Sequence, residues 1–294
     1  GSVEMPELPE VEGVVRALVP KVEGKTIEKV ELSQTIYNSW AEGKQCIVKA
    51  IEPNLFEQAM QGMTFSKITR RSKYIYFHLE KNYDEYLFVN HLGMTGAWFV
   101  VNDLNEITEE KFRKHTHGVF YLTSGELLVY SDIRRFGEMR FIVKEEEHAP
   151  LLQMAPEPFE EDACDFFLRK SELPKYQNKP IKEVIMDGQV ISGCGNIYAT
   201  ESLFKMGIHP GRKTSRISKQ RKIELFEVIR NILQESIDMG GSTISDYRNI
   251  NGEAGGMQHR LKMYGKKICP QCGSNTKSMV IGGRTSVYCP QCQH

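Results

Sequence analysis

The chain reads as an α+β protein of two domains: an N-terminal β-sandwich with flanking helices, then a helical bundle that ends in a small cysteine-rich ribbon. Three observations predict this. Short runs rich in β-branched and aromatic residues crowd the first half, apolar residues at helical spacing mark the second, and two Cys-Pro-x-Cys turns close the chain. The 294 residues are 40% hydrophobic and 26% charged, enough apolar material for a real core, which excludes a disordered or fibrous protein. No apolar stretch approaches the roughly 20 residues that a membrane span requires. The N-terminus has no basic region followed by an apolar run, so no secretory signal is read there.

Pro9 opens a helix with Val11, Val14, Val15 and Leu18 on its apolar side, and Pro20 is expected to stop it. Strand-like runs follow at 69–79, 86–91, 97–101, 118–122, 126–130 and 139–143, and Ser124-Gly125 joins two of them as a hairpin. Several short strands at this spacing predict a sandwich or barrel over residues 6–150. An acidic, proline-punctuated stretch from Glu145 to Asp162 reads as a linker, placed at 151–162. The helical domain spans 163–264. Within it Lys179 to Asp187 forms a short helix and Asn196 to Met206 another, closed by Gly207. Ser218 caps a long helix that ends at Gly240-Gly241, with Ile223, Leu225, Phe226, Ile229, Ile232, Leu233 and Ile237 along it. Gly193-Cys194-Gly195-Asn196 is a tight turn into a helix N-terminus, whose amides are expected to bind phosphate. Gly240 to Gly256 is a long glycine-rich loop with little apolar content, of a length that is usually either functional or disordered.

Charge is segregated although the totals balance. Residues 205–294 hold 15 Lys/Arg against 6 Asp/Glu, and the stretch from Lys205 to Lys222 has seven basic residues and no acid. This points to a C-terminal half that binds a polyanion, with a solvated basic helix face as the plain alternative. Cys269-x2-Cys272 and Cys289-x2-Cys292 are separated by 16 residues, a spacing that reads as one zinc held by four thiolates. The residues between, Ser278 to Tyr288, form two short strands around Gly282-Gly283, so residues 265–294 are a zinc ribbon. So small a ribbon has almost no core and needs the metal to fold. Its closed ligand set makes the zinc structural.

Six motifs then fall in order: Pro6-Glu7-Leu8-Pro9-Glu10, Arg70-Arg71-Ser72-Lys73-Tyr74, His91-Leu92-Gly93-Met94, Arg134-Arg135-Phe136-Gly137, Gly195-Asn196-Ile197-Tyr198 and Gly283-Arg284. With the zinc spacing they closely resemble the bacterial formamidopyrimidine-DNA glycosylases, a family of base-excision repair enzymes that also cut abasic DNA. The resemblance covers Pro6 to Gln293, and makes the helical domain a helix-two-turns-helix (H2TH) module.

The resemblance implies a monomeric enzyme of the bacterial cytoplasm, at the nucleoid. It removes oxidised purines from damaged double-stranded DNA and cleaves the abasic site by β,δ-elimination. Pro6, as the first residue of the mature chain, would attack the sugar carbon with its secondary amine, and its iminium product would be the electron sink. Glu7 would be the general acid or base beside it. Lys73 and Arg284 complete the catalytic set, holding phosphates near the lesion. His91, Met94, Arg134, Phe136, Asn196 and Arg284 would contact DNA. Met94 and Phe136 would wedge the stack while Arg134 bonds the orphaned base, and Asn196 and Arg284 would hold phosphates. Ser242 to Tyr247, with Ser242, Thr243 and Tyr247 as contacts, corresponds to the loop that closes over an oxidised purine. Ser245 stands where many members carry arginine, which leaves the lesion range open.

Five residues, Gly1 to Met5, precede Pro6. An acylated proline is an amide and cannot attack. Gly-Ser is a common remnant of tag removal, so Met5 is read as the natural start, removed to free Pro6. The rival readings are a non-catalytic binder of damaged or distorted DNA, if the native chain extends upstream, and a zinc-ribbon adaptor, which would require none of the lesion-site residues.

Overall fold

The computed structural model describes residues 6–143, 147–242 and 255–294. They divide into two compact units: Pro6, Glu10–Leu151 and Gly255 in the first, and Glu7–Pro9, Leu152–Ser242 and Gly256–His294 in the second.

In the first unit, α1 (Leu8–Val22) buries Val11, Val14, Val15, Leu18 and Val22, one apolar stripe at helical spacing. Pro20 does not stop it. The proline sits exposed in the last turn, and the bond it cannot donate is offset by the full burial of Val22 two residues on. Then follow β1 (Ile27–Leu32), α2 (Gln34–Ala41), α3 (Pro53–Met60), β2 (Thr64–Arg71), β3 (Tyr74–Lys81), β4 (Asp84–His91), β5 (Gly96–Val101), α4 (Glu110–Lys114), β6 (Thr116–Leu122), β7 (Leu127–Asp132) and β8 (Glu138–Ile142). They form two antiparallel sheets, ordered β1-β6-β7-β5 and β2-β3-β4-β8.

The single run expected at 69–79 is two strands. The chain reverses at Ser72-Lys73, leaving Arg71 paired with Tyr74. No glycine, proline or asparagine announces this turn. It is made instead by Ser72 at φ 54°. The Ser124-Gly125 hairpin forms as expected, with Gly125 at φ 98°. Apolar faces of the two sheets meet in one core. Phe77 stacks on Phe88 at 4.9 Å and Phe88 on Phe120 at 5.6 Å, while Trp98 packs against Phe77 at 5.2 Å and Tyr130 at 4.9 Å. Each such buried ring is worth about 1.5–3 kcal/mol.

A short helix, α5 (Ala149–Gln153), lies inside the stretch read as a linker. The second unit continues with α6 (Ala163–Ser171), α7 (Pro174–Gln177), α8 (Ile181–Met186), α9 (Asn196–Met206) and α10 (Lys219–Asp238). The sequence pattern predicts neither α6 nor α7. Helix α9 is buried along Asn196–Phe204 and packs on α8 and α10, and it ends at Gly207 in the left-handed conformation, φ 68°. Ser218 caps α10 by accepting the amide of Arg221 at 3.2 Å, and the helix ends before Gly240 and Gly241, both at φ 80°. Phe167 of α6 stacks on Phe226 of α10 at 5.9 Å. The ribbon is the hairpin β9 (Lys277–Ile281) and β10 (Arg284–Tyr288), turning at Gly282-Gly283. Among the described residues, no helix is long and apolar enough to cross a membrane.

Candidate active site, nucleic-acid interface and metal centre

In the second unit the site is built on the N-terminus of α9. Glu7 is 2% exposed, and each of its carboxylate oxygens accepts a backbone amide: Gly195 to Oε1 at 2.8 Å and Ile197 to Oε2 at 2.9 Å. The Gly195 and Ile197 amides of this turn therefore hold the Glu7 carboxylate, an anion that the chain itself supplies. The positive end of the helix dipole favours the same charge. Gly195 is required for the approach, since a Cβ there would lie 2.5 Å from the Glu7 carboxyl. The glycines of this turn thus serve a side chain of the N-terminal motif.

Asn196 is nearly buried. Its Oδ1 accepts from Lys182 Nζ, and its Nδ2 donates to the Thr285 carbonyl at 3.2 Å, next to Arg284 on β10. Lys182 is fully buried and also donates to Ser286 Oγ. Burial pushes its pKa down to about 8, against the opposing pull of Glu7 and then Cys194. Glu7, Asn196 and the β10 residues Thr285 and Ser286 are thereby gathered around one buried lysine. Ser242 is buried as well, bonded to the Tyr198 hydroxyl at 2.9 Å, which also bonds Ser236 at 2.6 Å. Thr243 and Tyr247, with Ser245, lie outside the described residues.

In the first unit, Lys73 occupies the β2–β3 turn, and His91 faces Tyr74 in the β3–β4 register with ring centroids 5.1 Å apart. Burial pushes the His91 pKa down; Glu138 opposes this and Lys73 adds to it. His91 is therefore neutral near pH 7. The amide of Gly93 donates to its Nδ1 at 3.1 Å, so the ring proton sits on Nε2. Met94, half-buried, follows on the same loop.

The loop carrying Arg134 and Phe136 is shaped by Asp132, which is fully buried. Its Oδ1 accepts from Thr95 Oγ1 at 2.7 Å and the Arg135 amide at 2.9 Å. Its Oδ2 accepts from the Tyr130 hydroxyl at 3.0 Å and the Gly137 amide at 2.9 Å. Thr95 in turn accepts the Arg134 amide at 2.8 Å. One carboxylate thus joins the Met94 loop to the Arg134–Phe136 loop. The two backbones touch: a Cβ on Gly93 would lie 2.7 Å from the Gly137 nitrogen. Phe136 is 43% exposed, with the Arg134 guanidinium 5.3 Å over its ring. Exposing a large apolar ring on a loop held this firmly suits a wedge.

The four ribbon cysteines bring their sulfurs within 4.8 Å of one another. Four thiols converging from two Cys-Pro-x-Cys turns fit one tetrahedral zinc, and Cys269, Cys272, Cys289 and Cys292 hold a single structural zinc. The Cys292 amide pointing at Cys289 Sγ at 3.4 Å is a backbone contact of the kind that steadies a thiolate.

Sequence reasoning missed Asp132, Thr95 and Lys182. A buried aspartate two residues before an exposed arginine, or a lysine in an apolar helix, carries no spacing signal. Their partners come from distant strands and helices.

A two-unit chain with a carboxylate set on an H2TH helix, a loop exposing Arg134 and Phe136, and a zinc ribbon defines a class of DNA-repair protein, and the comparisons agree. The sequence matches the family models for the formamidopyrimidine-DNA glycosylase N-terminal domain over residues 5–139, the formamidopyrimidine-DNA glycosylase H2TH domain over 154–248, and the zinc finger found in FPG and IleRS over 266–294. The chain belongs to the formamidopyrimidine-DNA glycosylase family. It is 40% identical over 293 residues to the formamidopyrimidine-DNA glycosylase of Bacillus subtilis, covering 98% of this chain and 99% of that protein. Among solved structures, a mutant Lactococcus lactis FPG in complex with Fapy-dG containing DNA aligns with TM-score 0.84 at 30% identity, covering 98% of this chain and all (100%) of that one. The MutM (FPG) protein of Thermus thermophilus aligns with TM-score 0.81 at 31% identity, covering 98% of each chain.

Proposed function

We propose that the protein is a DNA glycosylase and abasic-site lyase of base-excision repair, acting as a monomer on damaged double-stranded DNA. It takes out oxidised purines, 8-oxoguanine and formamidopyrimidines. It works in the bacterial cytoplasm, at the nucleoid. Residues 6–150 are the catalytic domain, 151–162 the linker, 163–264 the H2TH domain and 265–294 the zinc finger.

With Pro6 at the chain's N-terminus, its nitrogen lone pair attacks the anomeric carbon of the damaged nucleotide. The bond to the base breaks and the base departs with a proton. The sugar ring opens as its oxygen takes a proton, leaving an iminium that acidifies the neighbouring C2′–H; loss of that proton expels the 3′ phosphate, and loss of the C4′ proton then expels the 5′ phosphate. Glu7 supplies the proton to the ring oxygen as the sugar opens. Lys73, His91, Asn196 and Arg284 hold the phosphates. Met94 and Phe136 fill the gap left by the extruded nucleotide and Arg134 pairs with the base opposite. Ser242, Thr243 and Tyr247 belong to the loop over the lesion base. Zinc keeps the ribbon folded and so holds Arg284.

The observation that carries this reading is the Glu7 carboxylate, fixed by two backbone amides at the start of α9 and joined by one peptide bond to Pro6. A buried acid held in one orientation next to a secondary amine is what ring opening needs. Glu7→Gln in a chain beginning at Pro6 keeps an acceptor for one amide. It should bind 8-oxoguanine duplex within about threefold of the parent while excision falls by about two orders of magnitude or more, the usual scale of general acid–base catalysis. Full excision by this variant would remove Glu7 from the mechanism.

A further inference from the structure

The turn that carries Lys73 is strained and clamped from outside. Ser72, at φ 54°, is an L-residue in the left-handed region, a conformation that costs about 1–2 kcal/mol and persists only where the surroundings impose it. What imposes it is Arg70. Its Nη1 donates to the Ser72 carbonyl at 3.0 Å, and its Nε donates to Glu12 Oε1 at 2.9 Å. The Arg70 side chain is 7% exposed, so this pair is desolvated and well formed rather than a loose surface contact. Glu12 lies on α1, and its second oxygen accepts from Arg16 Nε at 2.9 Å, which fixes the carboxylate. The Ser72 carbonyl belongs to the peptide bond that leads into Lys73. Holding that oxygen sets the plane from which the Lys73 side chain departs. The ammonium in turn acts on His91, whose protonation it disfavours.

We propose that Arg70, oriented by Glu12, is a positioning residue for Lys73: a guanidinium bridge from α1 that locks the strained β2–β3 turn and aims the lysine at its phosphate. The inference rests on the reading of Lys73 given above. The bridge needs the fork of an arginine, because one nitrogen must reach the carboxylate while another reaches the carbonyl. A lysine in its place retains the charge and can serve only one of them well.

The test uses the full zinc-loaded chain beginning at Pro6, with Arg70→Lys, Lys73→Met and the double variant, on abasic duplex in single-turnover cleavage. Arg70→Lys should lower the cleavage rate about ten- to a hundredfold, the scale on which small misplacements cost rate, with zinc content and melting temperature close to the parent. In the double variant Arg70→Lys should add less than about twofold to the loss caused by Lys73→Met, since a positioning residue has no effect once its client is gone. Glu12→Gln should show the same pattern at smaller size. Losses that multiply in the double variant would overturn the clamp alone. Undiminished cleavage by Lys73→Met would overturn the reading of Lys73, and the clamp with it.

Discussion

Asp132→Asn is the sharpest probe of how the gap-filling loops are held. The carboxylate accepts four hydrogen bonds, two on each oxygen. An asparagine offers one oxygen and one NH2. If the NH2 replaces Oδ2, the Tyr130 hydroxyl can turn and accept, but the Gly137 amide faces a donor. If it replaces Oδ1, Thr95 can turn and the Arg135 amide is stranded. Either way one backbone N–H loses its partner, buried at Gly137 and part-buried at Arg135, at about 1–3 kcal/mol where it is buried, and the remaining bonds lose their charge assistance. The sum is roughly 2–4 kcal/mol, and either loss falls on the Arg134–Phe136 loop. Urea unfolding followed by fluorescence suits the case, because Trp98 packs 4.9 Å from Tyr130. The same protein should bind a duplex with an abasic gap about tenfold more weakly while its affinity for undamaged duplex is unchanged, since only the former needs the wedge. Stability within about 0.5 kcal/mol of the parent together with unchanged lesion preference would refute the reasoning.

Two further outcomes are expected. Cys269→Ala should abolish stoichiometric zinc and unfold the ribbon, seen by elemental analysis and by fast proteolysis after residue 265, because three thiolates leave the metal site open; full zinc content in that variant would contradict the assignment. Lys182, fully buried, has its folded pKa pushed down to about 8 from an ordinary 10.5. Below pH 8 both states carry the proton. Between 8 and 10.5 the unfolded chain binds more, so stability contributed by this group rises with pH through that window. Lys182→Met should remove the rise, and stability–pH curves of parent and variant that stay parallel from pH 7.5 to 10 would show that burial does not lower the lysine's pKa.

How much of this was legible in the sequence follows from how local each signal is. The caps of α9 and α10, the Ser124-Gly125 hairpin and the ribbon hairpin at Gly282-Gly283 are set by residues next to the turn, and each could be read from the sequence. The Ser72-Lys73 turn could not, because the Arg70 side chain that holds Ser72 at positive φ is itself fixed by Glu12 on α1, 58 residues away in sequence. Strand β1 escaped for a related reason. Its buried positions, Ile27, Val30 and Leu32, alternate irregularly with charges, and the register with β6 shifts between Ile27 and Lys29. At the site, motif residues were visible and their supports were not. The Gly-Cys-Gly-Asn turn was seen as an anion site, but the sequence could not say that the anion arrives from Glu7, 188 residues away from Gly195.

The central claim is that the amine of Pro6 is the nucleophile, and borohydride reduction on abasic duplex tests it most directly. A chain beginning at Pro6 should be trapped as a covalent protein–DNA adduct, and its uninhibited reaction should leave phosphate on both sides of the gap. The chain beginning at Gly1 should bind the same duplex and form no adduct, because its Pro6 nitrogen is an amide without a usable lone pair. Equal trapping by the two chains would contradict the account and transfer the nucleophile to a lysine. No trapping by either would leave a protein that binds damaged DNA without acting on it.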